Sequence, residues 1–157
     1  MTNLSINAQN GKATTEKTTF SRTTIITQII DADPLVIWNV LTNSADYPKW
    51  NSTIVSIEGK IQQGEKIKLK SILDPKRTFK LKIKEMITNQ KMVWGDAMGK
   101  RTYTLKELDS GTLFTMTEKI GGFMFPLFAS KIPPFDDVFE QFAQDLKKEV
   151  EKNANSK

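Results

Sequence analysis

Arg101 and Tyr103 alternate with Leu105, and Glu118 alternates with Phe114 and Met116. In an extended strand, alternate residues share a face. The spacing therefore predicts a cation, a phenol and a carboxylate on the same side as large apolar residues. Glu118 with Tyr103 offers acid–base chemistry. Alternatively, a Glu118–Arg101 pair, or a Tyr103 hydroxyl bonded to Glu118, orients the polar group of a ligand. A plainer reading is structural: strand twist carries these residues to the sheet's rim, where they form an ion pair. Inward-facing charges should be paired or reach solvent, because burying them alone is costly. Asp96 shares parity with Trp94 and belongs to the same set.

The rest of the composition narrows the chemistry. The 157 residues include no histidine and no cysteine. Ser–His and Cys–His catalysis, His- or Cys-ligated metals, disulfides and a histidine pH switch are excluded. Gly95, Gly99, Gly121 and Gly122 do not form a phosphate-cradling loop between a strand and a helix. No metal site and no obligate cofactor are expected. Hydrophobic content is 38% and charged content 26%, ordinary for one soluble domain. There is no bilayer-spanning apolar run and no apolar signal-peptide core near the N-terminus, so the expected location is cytoplasmic.

The elements that would position these residues are legible along the chain. Residues 1–17 read as a flexible tail and 153–157 as a short C-terminal one, flanking a single domain over 18–152. Residues 18–30, rich in Thr and Ile, predict a first strand. Asp33 is suited to cap the helix over 33–43, with Pro34 at its first position. Leu35, Ile37, Trp38 and Leu41 form its apolar face, Trp38 as core. Tyr47, Pro48 and Trp50 follow in a link that either gates a cavity or fixes the helix exit. Strands are predicted at 54–57, 66–70, 79–84, 91–96, 100–108 and 112–120, seven in all. Gly121-Gly122 then permits a hinge before an apolar, proline-interrupted segment over 123–134, which predicts mobility there. Phe135, Val138, Phe139, Phe142, Leu146 and Val150 form one stripe of a terminal helix over 134–152.

The net charge of +5 is uneven, with 13 basic and 5 acidic residues over 54–106. Lys66, Lys68, Lys70, Lys80, Lys82 and Lys84 alternate with apolar residues and predict a basic, wetted sheet face. Such a row attracts anionic surfaces, or simply keeps the protein soluble and its strands from aggregating. Without interleaved aromatics or a nucleic-acid motif, no nucleic-acid partner is expected.

The order strand, short helices, six strands, long helix resembles the helix-grip fold of the START-like (SRPBCC) superfamily, which includes the birch-pollen-allergen-like proteins. The stretch Ala32-Asp33-Pro34-Leu35-Val36-Ile37-Trp38-Asn39-Val40-Leu41-Thr42 followed by Tyr47-Pro48-Lys49-Trp50-Asn51 is similar to the polyketide cyclase/dehydrase-like branch. Trp94-Gly95, the strand carrying Glu118, and Leu146-Lys147-Lys148-Glu149 add to the likeness. The resemblance implies an α+β fold: a seven-stranded antiparallel curved sheet around a long C-terminal helix, two short helices between strands 1 and 2, and a cavity between sheet and helix. It also implies a sterol, lipid, polyketide or aromatic ligand, or in some members cyclase or dehydratase activity or a chaperone-cofactor role.

Parity selects the cavity lining: Leu69, Phe79, Leu81, Ile83, Trp94, Arg101, Tyr103, Leu105, Phe114, Met116 and Glu118 from the sheet. Phe135, Phe139 and Phe142 face them from the helix, with Trp50 at one end. Met86, Met92, Met98, Met116 and Met124 would make the lining adaptable. The expected function is binding of a small hydrophobic or aromatic molecule, without catalysis and without integral membrane association. The alternatives are a cyclase/dehydratase-type enzyme using Glu118, Tyr103 or Arg101, and a protein–protein adaptor such as a chaperone cofactor.

Overall fold

The computed structural model describes residues 10–155, with side chains to residue 152. Eight strands form one antiparallel, unclosed sheet in the order β1-β2-β8-β7-β6-β5-β4-β3. They are β1 (Ala13–Lys17), β2 (Ser21–Ile30), β3 (Ile54–Glu58), β4 (Lys66–Ser71), β5 (Phe79–Ile87), β6 (Lys91–Gly95), β7 (Gly99–Leu108) and β8 (Gly111–Gly121). The helices are α1 (Pro34–Thr42), α2 (Tyr47–Trp50), α3 (Phe125–Phe128) and α4 (Asp136–Asn155). No helix among the described residues is long and apolar enough to cross a membrane.

The alternation in β4 and β5 is realised as expected: Ile67, Leu69 and Ile83 are buried, and the intervening lysines are exposed. Register shifts between Ile54 and Ser56 and between Ile83 and Glu85 mark β-bulges. Bulges bend the strands that carry them and help curve the sheet. The β7–β8 turn rests on Gly111, whose φ is +137° and whose Cβ, if present, would lie 2.4 Å from the Ile30 carbonyl oxygen. Only glycine meets both constraints.

Two expectations need correction. The sheet has eight strands, not seven, because part of the expected N-terminal tail is strand β1. Its sequence, Ala-Thr-Thr-Glu-Lys, has no apolar alternation; its partners come from α4. The Ala13 backbone N–H donates to Glu140 Oε1 at 3.0 Å, and the Thr15 hydroxyl donates to Asp136 Oδ1 at 2.6 Å. Residues 1–9 of that tail, and 156–157 of the C-terminal one, lie outside the described residues. Asp33 does occupy the N-cap position of α1 with Pro34 behind it, but its side chain makes no capping bond; its backbone carbonyl accepts from Val36 and Ile37 instead.

Helix α4 lies across the concave face. Phe139, Phe142, Leu146 and Val150 are fully buried. The charged side of α4 also holds the fold: Asp145 accepts from the Ser52 N–H and hydroxyl, and Glu151 accepts from the Asp31 N–H and from Lys147. Tyr47 is wholly buried, and its hydroxyl donates to the Leu41 carbonyl at 2.6 Å. That carbonyl lies in the last turn of α1, where helical partners run out. Tyr47 is therefore a side-chain stopper for α1. Replacing Tyr47 with Phe leaves a buried carbonyl unpaired and should cost about 1–3 kcal/mol. Urea unfolding of the variant would show this as a lowered midpoint at unchanged slope; an unchanged midpoint would refute the capping role.

Candidate functional site

The space between sheet and α4 is filled at one end and open at the other. Phe142 occupies the filled end. Its ring lies 6.4 Å from Tyr47, 5.8 Å from Trp50, 5.9 Å from Tyr103 and 6.3 Å from Phe114. Tyr103 in turn meets Trp94 edge-on at 5.0 Å. Beyond this cluster, toward the β4–β5 and β6–β7 turns, lies a partly open cavity of about 600 Å³.

Seven of the residues expected to line a cavity border it: Leu69, Phe79, Leu81, Trp94, Arg101, Glu118 and Phe135. Tyr103, Phe114, Met116, Phe139 and Phe142 do not; they are buried in the packed core. Trp50 is on the wrong side of the cluster and borders a separate, wide surface groove with Asp31, Asp33, Asp46, Asp109 and Glu149. Of the five methionines, only Met98 reaches the cavity; Met92 and Met116 are core, and Met124 is exposed. Lining residues not expected from the sequence are Ile120, Val138, Arg77, Phe128 and Lys131. The signal for Ile120 was present, since it shares parity with Glu118. Phe128 ends the single-turn helix α3 and Lys131 the short 3-10 turn that follows, both too brief for a period to be read.

Arg101 and Glu118 stand directly opposite each other across β7 and β8. Arg101 Nη2 donates to Glu118 Oε2 at 3.2 Å. The side chains are 13% and 19% exposed, so the pair sits in the cavity wall with a small part of each open to it. The guanidinium also lies 5.1 Å over the Phe139 ring, a cation–π arrangement. Burial by itself lowers the arginine pKa, but the Glu118 charge and the nearby Tyr103 outweigh it, and the net shift is upward. The pair thus remains a cation with its carboxylate partner. The turn that starts β7 is equally constrained. Asp96 Oδ1 accepts from the Met98 and Gly99 N–H groups at 2.8 and 3.0 Å. A Cβ on Gly95 would lie 2.3 Å from the Gly99 carbonyl oxygen.

The Tyr103 hydroxyl is buried beside the Arg101 guanidinium, the polar side chain that most influences it. Burial pushes its pKa up from 10.0 to about 12, against the lowering influence of Arg101. Tyr103 does not itself border the cavity, but it lies behind Arg101, which does. Glu118 is committed to Arg101, and among the described residues no group of three acidic side chains is placed to hold a metal. The walls combine apolar side chains with the Arg101–Glu118 pair and further charged groups, Asp74, Arg77, Asp96 and Lys131.

The raised tyrosine pKa fixes the sign of an alkaline effect. Below pH 10 the phenol is protonated folded or unfolded, and its contribution is intact. Between pH 10 and 12 the unfolded chain ionises first, so stability falls, by on the order of 2–3 kcal/mol for this group. Tyr103→Phe removes the ionisable phenol and should flatten the decline above pH 10. Chemical denaturation across that range checks it; equal alkaline slopes would contradict the assignment.

No curated protein matches this chain. Among solved structures, protein NE0264 from Nitrosomonas europaea is 12% identical, with a TM-score of 0.68, covering 90% of this chain and 100% of that one. Protein SSP2350 from Staphylococcus saprophyticus is 16% identical, with a TM-score of 0.64, covering 82% of this chain and 91% of that one. DynU16, described as a putative protein in the dynemicin biosynthetic locus, is 12% identical, with a TM-score of 0.65, covering 82% of this chain and 47% of that one. At these identities the likeness is one of fold. The model of the family described as Activator of Hsp90 ATPase homolog 1-like protein matches residues 31–151. The chain belongs to that family, within the START-like (SRPBCC) superfamily.

Proposed function

We propose that the protein binds a small hydrophobic or aromatic molecule with one polar, preferably anionic, end in the cavity between sheet and α4. The observation that carries this reading is the 600 Å³ hollow itself, with Phe79, Leu81, Trp94 and Phe135 in its walls and a single ion pair among them. Its size is that of small-molecule sites. A carboxylate, phenol or carbonyl on the ligand would share the Arg101 guanidinium with Glu118. Aromatic walls favour a flat, fused-ring body, and the fold shared with a protein of the dynemicin biosynthetic locus is consistent with a polyketide-like molecule. The cyclase/dehydratase alternative has less support, because Tyr103 does not border the cavity and Glu118 is engaged by Arg101.

Two probes test this. Anilinonaphthalene sulfonate is anionic, and N-phenyl-1-naphthylamine is its neutral counterpart; both brighten in apolar sites. The wild-type protein should bind both. Leu81→Trp fills the cavity and should abolish both. The double variant Arg101→Met/Glu118→Met removes both charges together, leaving neither unpaired, and should weaken the anionic probe about tenfold while sparing the neutral one. Binding unchanged by Leu81→Trp would refute the cavity as the site.

A second reading, a chaperone cofactor, has the family's description behind it. It predicts that the protein raises the ATPase rate of an Hsp90-type chaperone, and that Leu81→Trp leaves that stimulation intact. No stimulation would dismiss it.

A further inference from the structure

The cavity's open end carries the most conspicuous apolar surface on the protein. Residues 121–129, Gly-Gly-Phe-Met-Phe-Pro-Leu-Phe-Ala, contain no polar side chain. The fold uses only part of this segment: Phe125 is buried and meets Phe128, which lines the cavity. Phe123 and Leu127 face outward, 88% and 71% exposed. Met124, Phe20, Met98 and Ile72 are also exposed. Backbone hydrogen bonds hold part of this set together. The Gly121 N–H donates to the Met98 carbonyl, and the Gly122 N–H to the Phe20 carbonyl. The loop's far end is fastened too: Arg22 donates to the Ile132 and Pro133 carbonyls at 3.1 and 2.7 Å. Its exposed side chains are therefore carried on a segment anchored at both ends.

Charge distinguishes this end from the other. Lys76, Arg77, Lys100, Lys119 and Lys131 lie in the turns and strand ends at this end of the sheet, all exposed. Of the acids at this end, Asp96 is occupied with backbone N–H groups, and Asp74 and Asp137 are exposed, so five cations face two free carboxylates. The opposite end of the sheet carries the groove lined by Asp31, Asp33, Asp46, Asp109 and Glu149, with Lys49 as its only lysine. The molecule is polarised, with its apolar tip at its positive end.

We propose that this end docks on an anionic lipid bilayer. Phe123 and Leu127 enter the boundary between headgroups and acyl chains, and the lysine collar meets the lipid phosphates. Two features favour a bilayer over another protein copy. The apolar residues form a projecting tip, not a groove. A two-fold pairing of this tip with itself would also bring two like-charged collars together. Docking places the cavity opening, at Met98, Phe128 and Lys131, against the membrane. A route for an apolar ligand from bilayer to cavity follows; that last step alone rests on the binding function proposed above.

The chain has no cysteine, so a single introduced one can be labelled cleanly. Phe123→Cys carrying a nitrobenzoxadiazole label would be mixed with phosphatidylcholine vesicles, with or without one-third phosphatidylglycerol. Expected results are co-sedimentation with the anionic vesicles at low salt, loss at high salt, and a blue-shifted, brighter label. The same label at Lys82→Cys, on the convex face, should not respond. In the unlabelled protein, Phe123→Ser/Leu127→Ser should weaken vesicle binding at least about tenfold. That variant should still bind the neutral naphthylamine without vesicles, which separates failure of docking from failure of the cavity. Three results would overturn the proposal: no binding to anionic vesicles at low salt; binding that survives the double substitution and is lost on replacing Lys66, Lys68 and Lys82; or a self-association removed by the double substitution, with no lipid response.

Discussion

The contact between Phe142 and the aromatic residues around it governs the interior. One ring on α4 touches side chains from α2, β7 and β8, and so fixes the height of the helix above the sheet. Packing that is dense on one side holds the helix away from the sheet on the other. Next along α4 the helix presents Val138 to the cavity, and Leu69 and Leu81 supply the opposing wall. The hollow persists because the filled end bears the load. Protein interiors are close-packed, so a hollow of this size needs rigid walls to remain open.

The charges of the grip are arranged around the same helix. Phe135 and Phe139 stack at 5.9 Å with nearly parallel rings, Arg22 lies 4.6 Å over Phe135, and Arg101 lies over Phe139. Two strand arginines thus cover the aromatic just before α4 and the one a turn inside it. They differ in their remaining partners. Arg22 spends its donors on backbone carbonyls of the segment leading into α4, whereas Arg101 spends one on Glu118. One is a structural clamp; the other keeps a charged surface beside an apolar space. Burying an ion pair rarely gains much stability over apolar replacements, so stability alone does not account for Arg101 and Glu118.

The fold was readable where side-chain period dominates, and the site only where the period also carries position. Alternation in β4, β5, β7 and β8 identified the concave face, and with it the Arg101–Glu118 pairing. It did not say where along the face the helix would press. Phe114, Met116, Glu118 and Ile120 share one side of β8, yet the first two are packed under Phe142 and the last two border the cavity. Position along a strand depends on how far the helix reaches, a long-range fact. Strand β1 escaped notice because its sequence has no apolar alternation: it pairs with β2 through the backbone, and its side-chain anchors, Glu140 and Asp136, lie more than a hundred residues away. Trp50 was misplaced because a link between helices has no period to fix the direction of a side chain.

The sheet order also has a temporal meaning. Strand β2 sits between β1 and β8, so its inner partner is among the last strands to leave the ribosome, and the helix that secures β1 follows later still. Ala13 meets Glu140 across 127 residues of chain. Until β8 exists, β2 presents an open edge rich in Ile and Thr. Topologies dominated by such distant pairings fold slowly, and their unfinished edges invite association between chains. The β2–β8 seam is the longest-range pairing in the sheet, and the enclosed interior depends on it.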